Sequence, residues 1–186
     1  MKSSAPLRTA SNSETADTTQ LQKRLDLLRI DDKTKASLAL AFPVFQEEID
    51  SIVAKFYDHI TAFPEAAAIL KSRHQVAALK FKQKKHWSSL FSCAFDEKYV
   101  ASAVRIGTVH FQHGVAPYLY IAGYTFFHCA LIDALTARQS LAADLPRILA
   151  AITRVISLDI DLALSVYTRE YWRQAAAGPS PHWIDG

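Results

Sequence analysis

The side chains of this chain that could do chemistry are mainly histidines and tyrosines, and His110 is the most suggestive of its seven histidines. Gly107 precedes it by three residues and Ala103 by seven, so the three share one face of a predicted helix. A glycine one turn before a histidine would let a flat body approach the backbone closely. Imidazole is the usual proximal ligand of oxygen-binding haem, so this spacing is compatible with a haem ligated from one side by His110.

A zinc site is the competing interpretation of the same helix. His110 and His113 lie three residues apart, which is close enough on a helix to share one ion. Zinc would need one or two further ligands. Neither Cys93 nor Cys129 lies in a CxxC pair, and the sequence has no HExxH motif.

The composition excludes several classes of protein. With 186 residues, 50% hydrophobic and 21% charged, the chain is long enough for one globular domain and is not disordered throughout. A net charge of +3 is too small to indicate nucleic-acid binding, and two cysteines do not make a disulfide framework. Neither GxGxxG nor GxxxxGK[ST] occurs, so no phosphate-binding loop is predicted.

One stretch imitates a membrane span, because residues 115–132 contain no formally charged side chain. The stretch includes Pro117, His128 and three tyrosines, and no Lys/Arg cluster flanks it, so we expect a core helix. Residues 3–20 contain no apolar segment of a secretory signal. We therefore expect a cytoplasmic protein that does not bind membranes.

The elements that must position these side chains are predicted to be helices almost throughout, since no segment alternates with the period of a strand. Asp31 and Asp32 favour a helix start, and Pro43 is predicted to open a second helix. Residues 1–18 are expected to be a disordered tail, and residues 176–186 a linker or C-terminal tail. The later helices are predicted at 64–70, 73–91, 96–114, 117–137 and 141–174.

Three runs of sequence resemble one known family. VRIGTVHFQHGVAPYLYIAGY (104–124) is similar to the proximal-helix signature of globin-coupled sensors and protoglobins. IVAKFYDHI (52–60) resembles the distal Phe-Tyr pair of that family, and LKFKQKKHWSSLF (79–91) resembles its next helix. The resemblance implies an all-α globin fold with an N-terminal extension helix and two long last helices, in a sensor globin domain at 19–175.

The resemblance also implies roles for individual residues. His110 takes the place of the proximal haem ligand, the only metal ligand expected, and Tyr57 that of the distal tyrosine that donates to bound oxygen. Leu119 stands where some members have Trp, and Lys82 stands near a distal hydroxyl of others, so this chain departs from the pattern at both sites. The remaining residues expected to line the cofactor are Phe56, Val76, Leu79, Gln83, Gly107 and Tyr120.

A phenol suits this role because oxygen bound to ferrous haem carries partial negative charge, whereas carbon monoxide carries far less. A hydrogen bond to a charged group contributes about 1.5–3 kcal/mol, or roughly ten- to a hundredfold in affinity. The alternative for Tyr57 is a core tyrosine whose hydroxyl is satisfied by a backbone carbonyl. The basic run 80–86 is expected to be a solvated helix face, with contact to haem propionates as its alternative.

The predicted function is therefore reversible O2 binding, with CO and NO as further ligands, by a sensor that is not an enzyme. The cofactor implied is haem b (iron protoporphyrin IX), held non-covalently because no CxxCH occurs. Apolar residues of the last helix occupy more than one stripe, and the family implies a homodimer through helices 117–137 and 141–174 and a transmitter domain or partner. The alternatives are a haem-free globin-like interaction module and a haem globin with nitric oxide dioxygenase-type activity.

Overall fold

The computed structural model of the protein describes residues 20–70 and 72–177, and the all-α class is confirmed there. The predicted tail 1–18 lies outside the described residues, as do residues 178–186, whereas residues 176 and 177 belong to the last helix. The elements are α1 (20–27), α2 (Asp32–Ile60), α3 (Pro64–Ile69), α4 (Arg73–Ser92), α5 (Glu97–Gln112), α6 (Pro117–Thr136), a 3₁₀ turn (Gln139–Leu141) and α7 (Leu145–Ala177).

The helix α2 shows one correct and one wrong prediction. Asp31 caps it as expected, because its carboxylate accepts a hydrogen bond from the backbone N–H of Thr34 at 2.9 Å. The predicted break at Pro43 is wrong, since the helix continues through that residue to Ile60. Leu38 before the proline and Phe45 after it are both fully buried, and this packing outweighs the missing N–H of the proline.

The core is formed where α2 packs against α4, α6 and α7, while α5 lies along α7. Aromatic rings join these layers: Phe45 stacks on Phe91 at 4.3 Å between centroids, and Trp87 stacks on Phe127 at 4.7 Å. The N-terminal helix α1 is attached to the last helix by an ion pair of 2.6 Å between Arg24 Nε and Asp161 Oδ2.

The ends of α5 and α6 follow the predicted signals. Asp96 caps α5 through the backbone N–H of Tyr99, and Gly114 turns the chain after it at φ +70°. Pro117 lies in the first turn of α6. The predicted start of the last helix at 141 is wrong, because the 3₁₀ turn ends there and α7 begins at Leu145.

The helix α6 has two unlike faces. It is the one helix of the described residues that is long and apolar enough to cross a membrane. Only 22% of the residues in its most apolar stretch are buried, however. The expectation of a core helix is therefore only partly right: Tyr120, Tyr124 and Phe127 lie in the core, whereas Tyr118 and Ile121 are exposed.

The apolar surface of α7 is covered mainly within the chain. Ile148, Ile152, Val155 and Leu158 are all fully buried or nearly so. Leu149, Ile160 and Leu164 are half-buried against the core, whereas Tyr171 and Trp172 near the end of the helix are exposed. The apolar residues of α7 outside its buried face are thus covered only in part within the described chain.

Candidate functional site

His110 presents one ring nitrogen that is free to bind. It lies in the last turn of α5, where its Nδ1 donates a hydrogen bond of 2.8 Å to the backbone carbonyl of Ile106. With the proton fixed on Nδ1, the lone pair of the neutral ring is on Nε2. Burial lowers the pKa of His110, which favours this neutral form. The imidazole is therefore prepared to act as a metal ligand through Nε2.

Gly107 is required for a different reason from the one predicted. A Cβ built on it would lie 2.1 Å from the carbonyl oxygen of Ala163 in α7 and 2.9 Å from its Cα. The missing side chain thus allows α5 and α7 to cross closely, instead of admitting a flat cofactor on that side. The glycine still contributes to the site, because the crossing fixes where α5 carries His110.

Tyr57 lies at the wall of an open cleft of about 670 Å³ whose lining includes Leu70, Val76 and Lys80. The side chain is buried, and no hydrogen bond joins its hydroxyl to another described residue. Within that part of the chain, the alternative of a core tyrosine bonded to a backbone carbonyl is therefore wrong. Burial raises the pKa of Tyr57 to about 12, so its hydroxyl remains a proton donor at neutral pH.

The residues of α4 that were expected to line the cofactor lie on its inner face. Val76 and Leu79 are half-buried and pack against the core, and Trp87 and Leu90 are buried further along the same face. Between them, the side-chain oxygen Oε1 of Gln83 is buried without a hydrogen-bond partner. An acceptor in this state is costly, and it indicates a place that a polar group or water can fill.

Tyr120 of α6 and Phe56 of α2 take part in two different contacts of α6. The ring of Tyr120 meets that of His110 edge to face, with 5.0 Å between centroids. The ring of Phe56 lies between Tyr57, 5.1 Å away, and Phe127, also 5.1 Å away. The structure thus joins Tyr120 to the histidine and Phe56 to the α2–α6 contact, and a cofactor contact of Phe56 stays a prediction.

A buried acidic cluster was missed by sequence reasoning. Asp159 of α7 is fully buried, and its carboxylate accepts hydrogen bonds from the hydroxyls of Tyr99 and Tyr124. His86 Nε2 lies 2.7 Å from Asp159 Oδ2, so the assignment of His86 to a solvated face is wrong. A carboxylate between Leu158 and Ile160 in an apolar helix was the signal that could have revealed it.

The cluster keeps Asp159 charged. Burial by itself would raise the pKa of this carboxyl, but the hydrogen bond and charge of His86, with the hydroxyls of Tyr124 and Tyr99, outweigh it and hold the pKa below its usual range. The same burial and the charge of Asp159 raise the pKa values of both tyrosines. The carboxylate is therefore an anion with two neutral phenol donors.

The zinc alternative gains no support. Across residues 20–70 and 72–177, no three His, Cys, Asp or Glu side chains form a group that could hold a metal ion. His113 is exposed, and its Nδ1 donates to the carbonyl of Val109 in the same helix.

Comparison with known proteins agrees with this fold. The sequence matches the Protoglobin family over residues 17–173, and the chain therefore belongs to that family. Among curated relatives, it is 28% identical over 165 residues to the heme-based aerotactic transducer HemAT of Halobacterium salinarum. That alignment covers 83% of this chain but only 34% of the relative, so the chain spans about a third of the length of that protein.

Two solved structures share the globin fold. The globin domain of the Geobacter sulfurreducens globin-coupled sensor superposes with a TM-score of 0.73 at 19% identity, covering 78% of this chain and 96% of that one. The ferric globin domain of E. coli DosC gives a TM-score of 0.66 at 18% identity, covering 81% and 99%. The predicted globin fold with an N-terminal extension helix and long last helices is confirmed.

Proposed function

We propose that this chain is the globin domain of a haem-based sensor of diatomic gases, extending over residues 19–175. The single observation that carries the proposal is the state of His110: a half-buried neutral imidazole whose Nδ1 donates to the carbonyl of Ile106 and whose Nε2 has no hydrogen bond to a described residue. This is the arrangement that a haem iron requires of a proximal ligand. The family membership of the chain supports the same assignment.

Two residues that line the cleft, Tyr57 and Val76, suit such a group, whereas His110 lies outside that lining. The hydroxyl of Tyr57 makes no hydrogen bond to a described residue, and Gln83, elsewhere on α4, has a buried side-chain oxygen without a partner. Val76 and Leu79 supply apolar walls, and we assign Phe56 and Tyr120 to the surrounding shell. Gly107 contributes by setting the position of α5 against α7. Lys80, whose ammonium lies 5.7 Å from the centre of the Tyr57 ring, is the cation of the basic run best placed to meet an anionic group there.

When bound, haem b supplies an iron that takes up O2 reversibly and leaves partial negative charge on the gas. Tyr57 would donate a hydrogen bond to that charge, which favours O2 over CO. His110 would hold the group from the other side without a covalent attachment. We assign the chain to binding and sensing in the cytoplasm, with O2 as its ligand and CO and NO as further ligands.

A sensor must pass the effect of gas binding on to another domain or protein through a contact surface. We assign a homodimer surface to α6 and α7, where the exposed Tyr118 and Ile121 of α6 supply the apolar part. The alignment covers only 34% of the heme-based transducer that resembles this chain, which supports a transmitter domain or a separate partner as the receiver.

Visible absorption of the purified protein tests the proposal. We expect a Soret band that moves when dithionite, then O2 and then CO are added. A colourless protein that takes up no hemin would overturn the proposal in favour of a haem-free interaction module. Catalytic turnover of nitric oxide with a reductant, at a rate far above that of free haem, would instead indicate a dioxygenase.

A further inference from the structure

The two oxygens of the buried Asp159 carboxylate begin two separate chains of hydrogen bonds, which we call its Oδ1 branch and its Oδ2 branch. Its Oδ1 accepts from the hydroxyl of Tyr99 in α5. Its Oδ2 accepts from the hydroxyl of Tyr124 in α6 and lies 2.7 Å from Nε2 of His86 in α4. One side chain of α7 therefore joins three other helices, and only the Oδ2 branch continues further.

That branch leads to His110. Tyr124 donates its proton to Asp159, and its oxygen is then the acceptor for the hydroxyl of Tyr120 at 3.1 Å. Because the Tyr120 hydroxyl is engaged in this way, the tyrosine meets the imidazole of His110 with its ring and not with its oxygen. The remaining partner of the imidazole is the neutral carbonyl of Ile106.

We propose that Asp159 is a positioning residue for the iron ligand: through Tyr124 it fixes the direction of the Tyr120 hydroxyl and so the environment of His110. The inference rests on the proposed haem-binding function. Groups that contact a ligating histidine set its orientation and its basicity, and both act on the metal. If Asp159 is replaced by a neutral side chain, the acceptor that orients the Tyr124 hydroxyl is weakened, and Tyr120 becomes freer to turn toward the imidazole.

A merely structural cluster is the competing explanation, and the two tyrosines separate the explanations. Tyr99→Phe and Tyr124→Phe each delete one buried hydroxyl that donates to the same carboxylate. Of these two hydroxyls, only that of Tyr124 also accepts a hydrogen bond from Tyr120. The hydroxyl of Tyr124 also lies 3.3 Å from Nε2 of His86, so the two substitutions can differ in their cost in stability. A cluster that only holds helices together would lower the thermal midpoint without changing the iron ligand in either variant, whereas a positioning branch would change the iron ligand in Tyr124→Phe alone.

The test uses the full chain loaded with haem, in its reduced and gas-free form. The iron–imidazole stretching frequency is measured by resonance Raman spectroscopy and the midpoint potential by redox titration, beside the thermal midpoint. We expect Tyr124→Phe and Asp159→Asn to shift the frequency and the potential in the same sense. Tyr99→Phe should lower the thermal midpoint and leave both iron properties unchanged. Equal responses to the two tyrosine substitutions, or none, would overturn the inference.

The failure of the proposed function would look different, because the protein would then show no Soret band at all. In that case the haem-free chain still tests the branch by NMR. The ring-proton resonances of His110, assigned by their loss in His110→Ala, carry the ring current of Tyr120. They should move in Tyr124→Phe and stay in place in Tyr99→Phe, and unmoved resonances in both would contradict the inference. If Asp159→Asn does not fold, the two tyrosine substitutions decide alone.

Discussion

The Cα of Gly107 packs against the backbone of Ala163 so closely that a methyl group on it would lie 2.1 Å from the Ala163 carbonyl oxygen. Both partners are backbone, so no side-chain rotation can relieve the contact. This crossing holds α5 to α7 one turn before the candidate iron ligand His110. The separation of the two helices, and hence the position of His110, depends on the absence of one Cβ.

Gly107→Ala should therefore destabilise the protein. Overpacking a core contact costs about 1–3 kcal/mol, and we expect the upper end because the neighbouring atoms are main chain. The free energy of unfolding, measured by urea titration of the haem-free protein, provides the check. Haem retention should fall as well, since α5 must move away from α7.

Gly123→Ala is the matched control, because it is the same substitution in the middle of another helix. There a Cβ would meet only the Phe56 ring, at 3.5 Å, which is ordinary contact. Alanine is favoured over glycine in a helix by about 0.8–1 kcal/mol, so we expect a neutral or stabilising effect. Equal losses at both positions would contradict the crossing argument.

His110→Ala should abolish stable haem binding, because it removes the nitrogen with the free lone pair. Soret absorbance after gel filtration of the hemin-treated protein measures the retained haem. Added imidazole should restore part of the absorbance by filling the space of the lost ring.

His113→Ala is the control for that experiment, since His113 is the C-cap residue of α5 and its Nδ1 likewise donates to the carbonyl four residues before it, but the side chain is exposed. Its substitution should leave the absorbance unchanged. Loss of haem from both variants would indicate general damage to α5 and would remove the specific assignment of His110.

Tyr57→Phe should speed the release of O2 by roughly ten- to a hundredfold, which corresponds to about 1.5–3 kcal/mol for a hydrogen bond to a charged acceptor. Release of CO should change much less, because that gas carries little charge. Stopped-flow displacement of each gas gives both rates. Equal changes for the two gases would show that the hydroxyl does not face the ligand.

The same tyrosine gives a prediction about alkaline pH. The pKa of Tyr57 is raised from 10.0 to about 12 by burial, so its stabilising contribution is complete below pH 10 and is lost as the pH rises toward 12. Over that range the unfolded chain releases a proton that the folded protein retains, which corresponds to a slope of about 1.4 kcal/mol per pH unit.

Tyr57→Phe should therefore flatten the decline in the free energy of unfolding between pH 10 and 12, as measured by denaturant titration at each pH. The unsubstituted protein, titrated at the same pH values, is the reference. The experiment would count against a buried phenol at position 57 if Tyr57→Phe and the unsubstituted protein declined alike.

How far the sequence predicts this protein depends on how local each feature is. The cap at Asp31 and the start of α6 at Pro117 were both predicted, because each is decided within one or two turns of chain. Pro43 was misjudged for the opposite reason: whether a helix survives a proline depends on the burial of residues such as Leu38 and Phe45 against other helices.

The candidate site divides in the same way. The sequence by itself determined that a histidine would end α5 with its Nδ1 near the carbonyl four residues before it, since helical geometry brings those two atoms together. Only the tertiary structure decided that Gly107 packs against the backbone of Ala163. It also decided that Asp159 contacts His86, Tyr99 and Tyr124, which lie 73, 60 and 35 residues away in the sequence. Such contacts arise from the packing of whole helices, and no spacing along a single helix encodes them.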